Sequence, residues 1–137
     1  MSTESLRLAG ILLVVYPTVV FGGASILWHW ITARTDYYDH PLRQRMWAAG
    51  HAHAGVLLLL SLAMLALVDH AELSNAWAQV ARTGAPLSAI LVPAGFFLSI
   101  ASPSAARPNR LINLAYLGAI VLVAGMITLG VGLLRAA

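Results

Sequence analysis

The sequence predicts an all-α integral membrane protein, a four-helix bundle running up-down-up-down. Three observations lead there. Of 137 residues, 60% are hydrophobic and only 9% charged, where a soluble domain carries about 25% charged residues. Four apolar stretches approach the ~20 residues that a helix needs to cross a bilayer. The polar connections between them are short, which favours antiparallel neighbours. No length remains for a separate soluble domain, so residues 1–137 read as one transmembrane unit.

The first span is expected near residues 6–32, with Pro17 and Gly22-Gly23 as places to bend. Gly22-Gly23-Ala24 has the small residues of a signal-peptide cleavage site. The segment before the apolar run sets Glu4 against Arg7, however, and that run continues through Trp30, so an uncleaved span is expected. Residues 33–46 form a polar connection with Arg34, Asp36, Asp39, His40, Pro41, Arg43 and Arg45. The second span is expected near 47–68. A connection with Asp69, His70, Glu72 and Arg82 follows, and an amphipathic lead-in from about Ser74 opens the third span, near 86–101, which contains Pro93. Proline is tolerated in a span where neighbouring groups satisfy the freed carbonyl. Residues 102–110 hold two prolines, Arg107 and Arg110, and the fourth span is expected near 111–134.

All eight basic residues are arginine. Five lie in the first and third connections and three elsewhere, which places those connections in the cytoplasm and both termini outside. The expected location is the inner (plasma) membrane of a bacterium. The formal charge of +3 is dispersed, so it marks topology and not a nucleic-acid surface. There is no cysteine, which excludes disulfides, thiolate metal sites, iron–sulfur clusters and covalent c-type haem. Gly118, Gly125, Gly130 and Gly132 along the fourth span, with Gly95 and Ser99 in the third, are packing positions that let helices approach closely. Such faces also suit a homo-oligomer or docking to a larger complex.

The chemistry concentrates in Gly50-His51-Ala52-His53-Ala54-Gly55, at the mouth of the second span. Ionisable residues at the lipid boundary are costly and mark candidate sites. An antiparallel hairpin brings His29, near the end of span one, to the depth of His51 and His53, with His40 between. The third connection returns Asn109, Asn113 and Tyr116 to the same end. The opposite end offers mainly His70, Asp69 and Glu72. At 100° per residue, His51 and His53 point about 200° apart and cannot chelate one ion from a regular helix.

Three chemistries compete. A b-type haem could take axial nitrogens from His29 and one of His51 and His53, walled by Trp28, Trp30, Trp47 and Phe96/Phe97. The histidines could hold copper or another metal, with Met46 as a soft ligand. They could also be hydrogen-bonded interfacial residues of a structural subunit. The aromatic residues, Tyr37 and Tyr38 included, equally suit a headgroup-level belt. No nucleophile elbow, phosphate loop or acidic relay is present, so neither catalysis nor pumping by this chain alone is expected.

The run His51-Ala52-His53, followed by Gly55 and Leu57–Leu60, resembles small four-span membrane proteins related to subunit I of haem–copper and nitric-oxide-reductase-type oxidases. That resemblance implies haem at His51 or His53. The chain is too short for the further histidines that bind a second haem and copper in such oxidases. The expectation is therefore a small haem-b-binding protein for electron transfer or redox/gas sensing. The alternative is a cofactor-free accessory or assembly subunit of a larger membrane complex.

Overall fold

A computed structural model describes residues 1–32 and 40–137. Arg34, Asp36, Tyr37, Tyr38 and Asp39 lie outside the described residues. Regular structure within them is helical throughout: α1 Thr3–Thr32, α2 Pro41–Val68, α3 Asn75–Ser99 and α4 Asn113–Ala136, with a single 3₁₀ turn, Arg110–Ile112, leading into α4. All four are long and apolar enough to cross a membrane.

The helices run past the apolar spans because polar residues extend and cap them. His40 holds an extended backbone, and its Nδ1 accepts the Leu42 N–H at 3.2 Å. Pro41 follows at the first helical position, where a missing N–H costs nothing. The segment 41–46, polar in sequence, is therefore the first turn and a half of α2. Ser74 in extended conformation opens α3 at Asn75, so most of the expected second connection is helical. Asn109 starts the 3₁₀ turn, its Oδ1 accepting the Leu111 N–H at 2.8 Å.

Neighbouring helices are antiparallel, as facing residues show: Gly23 with His51, Gly50 with Phe97, and Gly84 with Gly125. The buried face of α3 is nearly all small residues, among them Ala81, Gly84, Ala85, Ser88, Ala89 and Gly95. This brings α4 to backbone contact. A Cβ on Gly84 would lie 2.9 Å from the Gly125 Cα, and one on Gly95 would lie 2.5 Å from the Ala115 nitrogen. Between lipid-solvated helices, such close packing replaces hydrophobic burial as the main attraction. Gly118 belongs to the same seam, meeting Leu91 and Val92, whereas Gly132 packs on Leu73 and Gly130 meets nothing within 4 Å.

Helix α1 is the peripheral member. Leu12 joins Leu57, Leu58, Leu65, Ala89 and Val92 in one core cluster, but Val14, Phe21 and Ile31 are more than 70% exposed. Helices α2, α3 and α4 form the compact part, and α1 rests chiefly on α2.

Candidate functional site

Histidines 51 and 53 project to different neighbours, as their helical spacing requires. His51 turns to α1 and is half-buried. Its ring fits against two glycines: a Cβ on Gly23 would lie 2.7 Å from Nε2, and one on Gly22 would lie 3.9 Å from Nδ1. Among the described residues nothing hydrogen-bonds the His51 ring. The ring lines a cleft of about 220 Å³, together with Thr18, Gly22, Ile26, Trp47 and Phe97. Trp47 and Phe97 pack with ring centroids 4.8 Å apart. Gly50 permits this, because a Cβ there would meet the Phe97 ring at 2.6 Å.

His53 turns to α3 and is exposed. Its ring stacks on Phe96 at a centroid separation of 5.1 Å and 29° between planes. Its Nδ1 lies 2.7 Å from the Ala49 carbonyl oxygen. A carbonyl only accepts, so Nδ1 carries the proton, and in the neutral form of the ring the lone pair lies on Nε2. A backbone carbonyl holding one imidazole nitrogen is the usual means of orienting the other toward a metal.

His29 lies on the Gly22–Ile26 face of α1, about 10 Å beyond Gly22 along the axis. The five histidines thus scatter: His51 at the α1–α2 contact, His29 near the end of α1 and not at the depth of His51 as expected, His53 against α3, His40 capping α2, and His70 at the far end. Among the described residues no group of three histidines and carboxylates could hold a metal ion. Asn113 is exposed and Tyr116 is 67% exposed, and among the described residues neither is hydrogen-bonded to a histidine. Of the aromatic wall expected around a cofactor, Trp47, Phe96 and Phe97 do meet the histidines, while Trp28 and Trp30 are exposed on α1.

The expectation that polar groups gather chiefly at the histidine end is corrected by the opposite end. There Arg82, 7% exposed, donates to Glu4 at 2.8 Å, to Asp69 at 3.1 Å and to the Ser5 hydroxyl at 3.1 Å. Asp69 also accepts the Ser2 backbone N–H at 2.6 Å. Burial alone pushes the Asp69 carboxyl up. The Ser2 N–H, the Ser5 and Ser2 hydroxyls and the Arg82 guanidinium outweigh it, bringing the pKa from 3.8 to about 2. The network ties the start of α1 to the end of α2 and the second turn of α3. At the histidine end, Arg43 is buried too and donates to the Ser102 and Pro103 carbonyls, fastening α2 to the α3–α4 connection. Both arginines read in sequence as connection residues. The available signal was the helical lead-in from Ser74, which puts Arg82 inside a helix, where a buried charge needs a partner.

Compared with family models, curated proteins and solved structures, the chain matches none of them.

A haem held between His29 and His51 does not fit this arrangement. The His51 Nε2 lies against the Gly23 backbone, leaving no gap for a macrocycle. The adjoining cleft of about 220 Å³ is also smaller than the roughly 300–1,000 Å³ of pockets that enclose small molecules. The donor chemistry of His53, an exposed residue, does suit haem iron: Nδ1 is anchored on the Ala49 carbonyl, and the neutral form of the ring has its lone pair on Nε2.

Proposed function

We propose that the chain is a small integral membrane protein that would hold a b-type haem between two of its copies, His53 of each being the residue that holds it. The observation that carries this reading is the Ala49–His53 hydrogen bond, which leaves Nε2 as an outward lone pair. The four apolar helices and the resemblance around His51-Ala52-His53 support it. None of the other four histidines shares the His53 side of α2, so a second imidazole would come from outside the chain. A second copy supplies it without any further component.

A b-type haem with two imidazole ligands supplies reversible one-electron chemistry and leaves no open position for a gas. This favours electron transfer over gas sensing. The chain's own part is orientation. Ala49 fixes the His53 tautomer, Phe96 restrains the ring plane, and the Arg43 contacts fasten this end of α2 to the α3–α4 connection.

The test is a set of single substitutions, with absorption spectra of purified protein from cells supplied with haem precursor. His53→Ala should lose the Soret band of the wild type, while His29→Ala and His51→Leu should keep it. An unchanged band in His53→Ala would refute the assignment. A colourless wild type that co-purifies with a stoichiometric partner would favour the accessory-subunit reading instead.

A further inference from the structure

The His51 cleft does not end at His51. Thr18, Val19 and Ala54 line both it and a larger groove of about 510 Å³ that runs on between α1 and α3. The groove is walled by such residues as Leu12, Val15, Leu58 and Ile90, and none of the described residues lining it is ionisable. Its size lies within the range of small-molecule sites. The cleft offers different chemistry. The His51 ring nitrogens have no hydrogen bond among the described residues. The Thr18 hydroxyl donates to the Val15 carbonyl at 2.7 Å and so keeps acceptor capacity. The Trp47 and Phe97 rings supply flat apolar walls.

From this continuity we infer a binding site for a membrane-dissolved isoprenoid quinone, its ring in the His51 cleft and its tail along the α1–α3 groove. The lining favours this occupant over a phospholipid. A phosphate head calls for arginine or lysine, and among the described residues neither lines the two spaces. A quinone carbonyl is a neutral acceptor for an imidazole N–H, and its planar ring matches the aromatic walls. The Gly23 backbone covers the Nε2 side of the ring, so the nitrogen offered to the quinone is Nδ1, on the side of Gly22, which lines the cleft. The inference rests on the bilayer placement proposed above but not on the haem, because His51 and His53 face opposite sides of α2.

The experiment uses the full chain in phosphatidylcholine nanodiscs, with Trp28, Trp30 and Trp77 replaced by Phe so that Trp47 alone reports. Decylubiquinone should quench it saturably. His51→Leu should weaken binding about tenfold, the scale of one lost hydrogen bond. Ala54→Phe, at the junction of the two spaces, should abolish binding of decylubiquinone but spare its tail-less ring analogue, which also shows that this variant folds. His53→Ala should bind as the wild type does, separating this result from the fate of the haem. Equal affinity in wild type and His51→Leu would overturn the inference. So would quench that never saturates, the mark of probe merely dissolved in lipid.

Discussion

At the scale of single residues, two buried or oriented polar groups define the molecule's ends. Asp69 anchors one of them. Its carboxyl is held at about 2 against an ordinary 3.8, so its stabilising contribution is fully present above pH 4 and fades as the pH falls toward 2. Unfolding in detergent should therefore show a loss of stability between pH 4 and pH 2 that Asp69→Asn removes. A wild-type curve unchanged by that substitution would contradict the role. Arg82→Met should be costlier, about 3–5 kcal/mol at neutral pH, because it strands the Asp69 carboxylate in a largely buried position; Glu4, mostly exposed, loses little. The two histidines show how far residue-level reading goes. Their divergence was legible, since 200° is set by helix geometry. Which one turned to α1 was not, because that depends on Gly22 and Gly23 meeting the His51 ring across a helix pair. Arg82 was hidden for a related reason: its partners, Glu4 and Asp69, are 78 and 13 residues away.

At the scale of helices, the α3–α4 pair depends on glycine contact. Gly125→Ala would place a Cβ 3.1 Å from the Gly84 Cα, backbone that cannot rotate away. Overpacking of this kind costs about 1–3 kcal/mol. Gly130→Ala, with nothing within 4 Å, should be neutral or stabilising by up to ~1 kcal/mol, as alanine prefers the helix. Comparing the two variants by thermal unfolding in detergent checks the seam, and equal effects would count against it. The four helices themselves were readable from hydropathy, because length and apolarity are local properties. Their starts were less so. His40-Pro41 and Ser74 lengthen α2 and α3 through capping of polar segments, where the hydropathic signal is weak. Among the candidate packing glycines, sequence placed Gly118, Gly125 and Gly130 together, but only the crossing of α3 and α4 separates the two that touch from the one that does not.

At the scale of the whole molecule, the fold sets two unlike ends on one antiparallel frame. One end is a closed ion-pair network that ties α1 to α2 and α3. The other is open: α1 reaches α2 there through glycines against a half-buried imidazole, and His53 presents its free nitrogen outside. On the function proposed above, the histidine end is where the second copy docks, and the arginine end is a structural anchor. Sharing a haem between two such ends requires one haem for every two chains, a ratio that no site within a single chain produces. The most direct measurement is an oxidised and dithionite-reduced absorption spectrum of the detergent-purified full chain, made with haem precursor supplied and with haem counted per chain. The account predicts a Soret band, sharp reduced α and β bands, and one haem per two chains. A flat visible spectrum, or one haem per chain, would contradict it.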